Sequence, residues 1–150
     1  MITSKMTLTN ITRLMWGLRH CRRGAAAAEL SLVLPLLNTM ILAVFEYGAV
    51  IYSYSTMQLG ANRVARTVAV NRMSDAQART DVRRFLPVWV RDDVSVSVTQ
   101  TAPADPETNL VQVQLSVTAQ QATPLAILTR AVPWQLTANV VMKQELPYVD

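Results

Sequence analysis

A basic pair, a glycine and a single carboxylate stand at the head of a long apolar run: Arg22-Arg23-Gly24-Ala25-Ala26-Ala27-Ala28-Glu29, then apolar residues from Leu30 to Phe45 and on to Tyr54. That order is costly. An ionised Glu at a bilayer centre is unfavourable by roughly 2.5–3.5 kcal/mol on insertion scales, so a carboxylate on the rim of a membrane-length helix needs a reason. An ordinary secretory signal places its apolar segment before the cleavage site. A cut after Gly24 lies on the other, cytoplasmic, side of the helix and leaves that helix on the mature chain.

The helical pattern from Ala25 is broken by few polar residues: Glu29, Asn38 and Glu46. Ala25 to Glu46 is 22 residues, roughly 33 Å at about 1.5 Å per residue, close to one hydrocarbon thickness. The two carboxylates therefore mark the two membrane faces. Pro35 cannot give an N–H to the carbonyl of Ser31, which predicts a kink or loosened turn tolerated when neighbours re-satisfy the backbone. Asn38 either hydrogen-bonds across helices near mid-membrane or bonds its own backbone.

The segments Gly24-Ala25-Ala26-Ala27-Ala28-Glu29-Leu30, Leu34-Pro35-Leu36-Leu37, Phe45-Glu46-Tyr47-Gly48 and Gly60-Ala61-Asn62-Arg63-Val64-Ala65-Arg66 together resemble the TadE-like family of minor pilins, or pseudopilins, of tight-adherence (Flp-type) type IV pili. The likeness covers about residues 22–70 well and departs at Leu30, where prepilins of this group often carry Tyr or Phe. It implies a processing site at Gly24, Ala25 and Glu29, with cleavage by a prepilin peptidase after Gly24. It further implies partners in a pilus assembly platform and ATPase, the major pilin and sibling pseudopilins, and a role in assembly or priming that supports surface adhesion. In that setting Glu29 pairs with the new α-amine of a neighbouring subunit, since a matched charge pair in low dielectric is far less costly than a lone charge. The alternative is a Glu that snorkels to headgroup water. Glu46, Asn38 and Pro35 are the further candidate assembly residues. Glu46 either meets an arginine of a neighbour or is an ordinary interfacial residue.

The formal net charge of +4 belongs to one end. Lys5, Arg13, Arg19, Arg22 and Arg23 precede the apolar run with no acid among them, and the remainder is near −1. The charge is thus a topology signal that puts the N-terminus in the cytoplasm and the C-terminal part outside, and nucleic-acid binding is set aside. Cys21 and His20, the only residues of their kinds, lie in the leader, so the chain forms no internal disulfide. Ile11, Leu14, Met15 and Leu18 have helical spacing, suiting a leader that lies on the inner membrane surface or awaits removal.

Beyond the span, Tyr47, Val50, Ile51, Tyr54, Ala61, Val64, Ala65 and Val68 continue an i, i+3, i+4 stripe, predicting one helix to about Ala69. Ser74 and Gln77 have capping-box spacing ahead of a helix over Ala76–Leu86, with Arg79, Arg83 and Arg84 on a solvated face. After Pro87 the period falls to two. Val94, Val96 and Val98, then Val111, Val113, Leu115 and Val117, then Trp134, Leu136, Ala138, Val140 and Met142 each predict a half-buried strand. Thr123-Pro124 predicts the start of a short helix to Arg130. The organisation expected is a cleaved cytoplasmic leader (1–24), a transmembrane and amphipathic stalk (25–72) and an extracytoplasmic α+β domain (73–150). The fold class is α+β: a single-pass, pilin-like chain whose long helix packs on a small three-stranded antiparallel sheet.

Asp92-Asp93 is the only adjacent acidic pair and suits a turn, because neighbours on a strand point to opposite faces. Catalytic triads, phosphate loops and zinc spacing are absent from the sequence, so no enzyme, cofactor or metal is expected. The rival reading is an uncleaved signal-anchor protein with a partner-binding periplasmic domain.

Overall fold

The computed structural model describes residues 22–131 and 133–145, so the expected leader helix lies outside the described residues. Its first element, α1, is Arg22–Ala69, unbroken through Pro35. It stops at the position the stripe predicts, because Asn71 adopts φ 57°, a left-handed geometry that Asn tolerates better than most residues. The amides of Asn71 and Arg72 then turn back onto the carbonyls of Val68 and Thr67 at 2.9 and 3.0 Å, the paired bonds of a Schellman motif.

The chain divides into two compact units at Leu42/Ala43. That division follows contacts, whereas the 72/73 boundary read from sequence separates the helix from the elements after it. In the first unit, α1 exposes Leu30, Leu32, Leu34, Leu36, Leu37, Met40 and Ile41. The hydroxyls of Ser31 and Thr39 donate to the carbonyls of Ala28 and Pro35, at 2.7 and 2.8 Å. Each polar side chain is thereby satisfied within its own helix, which suits a hydrocarbon surround.

The second unit begins at Ala43 and holds the remaining elements: α2 (Asp75–Asp81), a 3-10 turn (Val82–Phe85), α3 (Val88–Arg91), β1 (Ser95–Gln100), β2 (Leu110–Thr118) and β3 (Gln135–Lys143). Ser74 and Gln77 form the predicted capping box. The helix is shorter than its Ala76–Leu86 expectation: it gives way at Val82 to the 3-10 turn, which ends where Leu86, ahead of Pro87, is extended. Of its arginines, Arg84 is exposed beside Asp81, but Arg83 reaches inward and donates to the carbonyls of Arg91 at 2.7 Å and Val94 at 3.2 Å. The Asp92-Asp93 pair is exposed in the turn after α3.

The strands pair antiparallel in the order β1-β2-β3. Val113 stands between Val98 and Val140, and Leu115 between Val96 and Ala138, so the alternating apolar positions form one continuous face. The opposite face carries Ser97, Thr99, Gln112, Gln114, Thr137 and Asn139. The apolar face shares one core with α1 through Val50, Met57, Ala61, Val64, Ala65 and Val68. The stripe therefore holds at Val50, Ala61, Val64, Ala65 and Val68, while Tyr47, Ile51 and Tyr54 are exposed. The buried row is Glu46, Val50, Ser53, Met57, Ala61, Val64 and Val68, at spacings of three and four, and two of its members are polar.

The helix expected from Thr123-Pro124 to Arg130 is absent. The segment is a bent loop with a 3-10 turn only at Thr129–Ala131, and Ala126 adopts φ 46°. Its amides have another acceptor.

Candidate functional site

That acceptor is Glu46, 2% exposed. Its Oε2 accepts from the Leu128 amide at 2.8 Å, and its Oε1 accepts from the Thr129 amide at 2.8 Å and the Thr129 hydroxyl at 2.5 Å. Three donors and no cation converge on it, an arrangement that an acceptor-only, ionised carboxylate fits best. The Leu128 amide, which a helix would have aimed at the carbonyl four residues earlier, goes to a side chain 82 positions away instead. Two turns further along α1, Ser53 Oγ donates to the Ala122 carbonyl at 2.6 Å and accepts from the Trp89 indole N–H at 3.1 Å. Glu46 and Ser53 thus pin both halves of the Ala119–Ala131 loop to α1. Hydrophobic periodicity could not find them; the sequence signals for Glu46 were its polarity and its place in the Phe45-Glu46-Tyr47-Gly48 segment, and Ser53 had none.

The remaining predicted residues lie in the first unit and are not brought together with Glu46. Gly24 sits in the first described turn of α1 and is exposed, and a Cβ added there would meet nothing within 4 Å among the described residues. Ala25 occupies the same turn. The first described turn of α1 contains no acidic residue. Glu29, Pro35 and Asn38 are exposed on the helix beyond it. Among the described residues no cluster of three or more His, Cys, Asp and Glu side chains is placed to hold a metal.

A helix long and apolar enough to cross a membrane, whose later turns share a core with a three-stranded antiparallel sheet, makes an α+β chain with one candidate membrane span among the described residues. Residues 24–66, the stretch that begins at Gly24 and runs through the span and most of the buried stripe, match the family model described as TadE-like protein. This agrees with the sequence resemblance over that stretch. No curated protein and no solved structure matches the chain.

Proposed function

We propose that the chain is the precursor of a minor pilin, anchored in the inner membrane with its N-terminus cytoplasmic and its sheet domain outside. In this reading a prepilin peptidase cuts after Gly24, and the mature helix enters or primes a tight-adherence pilus that supports surface attachment. Gly24 carries the proposal. A glycine costs a helix about 1 kcal/mol relative to alanine, yet among the described residues no neighbour needs its missing side chain. The need then comes from outside, from a protease cleft that must approach the scissile carbonyl. Removing residues 1–24 also takes away Arg22 and Arg23 and places the new amine of Ala25 four residues ahead of Glu29, within the same two helical turns. Partners in this reading are the peptidase, the membrane platform with its ATPase, the major pilin and sibling pseudopilins.

The test is the intact mass of membrane-extracted protein from cells with and without the peptidase. The expected result is a species starting at Ala25 only when the peptidase is present, lost in Gly24→Val. A chain that keeps its leader under both conditions refutes processing and leaves a signal-anchored domain in its place. Glu29→Gln, still cleaved but failing to assemble, separates the assembly role of the carboxylate from recognition by the peptidase.

A further inference from the structure

Among the described residues every tyrosine and every tryptophan is exposed and sits on or beside the α1 turns from Tyr47 to Tyr54. Trp89 reaches Ser53 and tilts against Tyr52 with ring centres 6.3 Å apart, and Trp134 lines an open groove of about 450 Å³ with Tyr47 and Tyr54. Amphipathic rings gathered at one level are typical of the zone where bilayer meets water. At that level lies the loop pinned by Glu46. From Thr118 to Thr129 it has no charged residue, and Leu125, Ile127 and Leu128 are 48%, 53% and 40% exposed. A second groove of about 350 Å³, lined by Tyr47, Leu128 and Trp134 among others, adjoins the first and has almost no polar surface. Arg130, exposed, follows directly.

We propose that this loop is a second, peripheral membrane anchor whose ligand is phospholipid. Leu125, Ile127 and Leu128 enter the interfacial zone of the leaflet from which α1 emerges. An acyl chain lies in the groove between Tyr47 and Trp134, and Arg130 faces the phosphate. Two features select lipid over a second copy of the chain. The loop is tied by Glu46 to the place where the apolar run of α1 ends, so its depth is set by the span itself. Its basic residue also stands just outside the uncharged stretch, the order in which headgroup and acyl regions follow one another. Three large apolar side chains on one short loop otherwise form an exposed patch that water disfavours. The inference rests on the membrane anchoring proposed above.

The experiment uses the full chain in vesicles of phosphatidylethanolamine and phosphatidylglycerol, some carrying brominated acyl chains, with one tryptophan per variant. One variant keeps Trp134 in a Trp16→Phe, Trp89→Phe background. A second places Ile127→Trp and a third Gln114→Trp in a chain whose three native tryptophans are phenylalanine. The expected result is bromine quenching of Trp134 and of the position-127 probe several-fold stronger than that of the position-114 probe on the polar sheet face. Shielding of the same two from aqueous iodide should be unchanged when the protein is diluted in lipid. Quenching no stronger than at position 114 overturns the proposal. So does shielding that vanishes on dilution, which assigns the surface to a second copy. A chain that fails to float with the vesicles refutes the anchoring itself.

Discussion

Replacing Glu46 tests how the loop is held. In Glu46→Ala the amides of Leu128 and Thr129 and the Thr129 hydroxyl all lose their acceptor. A buried donor left unsatisfied costs about 1–3 kcal/mol. Thr129 is buried and its groups bear the full cost, whereas water can reach Leu128, so about 3 kcal/mol in total is the reasoned figure. Glu46→Gln is milder. Its amide oxygen can keep both Thr129 bonds at the Oε1 position, but the NH2 then opposes the Leu128 amide, donor against donor, at about 1.4 kcal/mol. The assay is amide hydrogen exchange on the full chain in lipid nanodiscs. With each 1.4 kcal/mol a factor of ten, Leu128 and Thr129 should exchange roughly 100-fold faster in the alanine variant and roughly tenfold faster in the glutamine variant. Val113, at the centre of β2, should not change. Equal exchange in all three proteins would refute the reasoning, as would acceleration spread evenly over the sheet, because the loss is local by construction.

Three further perturbations follow from the same coordinates. A Cβ at Gly60 would lie 3.4 Å from Val82 Cγ2 and 3.5 Å from Phe85 Cβ. Gly60→Ala should therefore shift thermal stability by less than about 1 kcal/mol, while Gly60→Val, which must displace the 3-10 turn, costs about 1–3 kcal/mol. Asn109 is fully buried, accepts from the Ala102 amide at 3.0 Å and donates to Gln100 and Gln144 at 2.9 and 2.6 Å. Asn109→Leu should lower the stability of the β1–β2 connection by about 2–3 kcal/mol in denaturant titration. The Thr108 hydroxyl, then the Glu107 amide, hold the Asp105 carboxyl below the usual carboxylate range, against a smaller opposing effect of burial. A lowered folded value means the contribution is present above the unfolded pKa and is lost as pH falls through the folded one. An NMR titration of the Asp105 carboxyl should show the depressed midpoint, and Thr108→Val should move it back up.

Where periodicity coincides with burial, the sequence was a sufficient guide. The alternation at Val111, Val113, Leu115 and Val117 predicts β2 and its buried face, and Val64 to Val68 predict the end of α1. The apolar stripe on α1 was read one step round the helix, towards Tyr47, Ile51 and Tyr54. Any hydrophobic criterion prefers those residues to Glu46 and Ser53, yet the polar pair is buried because the loop offers it donors and acceptors. The helix expected after Thr123-Pro124 failed for the same reason. Its local signals are sound, but a carboxylate 82 residues upstream takes the amide on which the helix depends, and no local pattern carries that information. The Gly24, Ala25 and Glu29 grouping was visible only as a motif, since Gly24 and Glu29 are exposed among the described residues.

The row from Glu46 to Val68 also decides which sides of α1 stay open to neighbours. Along those turns one flank of the rod is already closed by the chain's own sheet and loop, so another helix can lie only against its back. Between Leu30 and Ile41 the large apolar side chains are exposed among the described residues. If copies pack side by side as proposed, the closed flank of the later turns sets which side of each helix meets its neighbour.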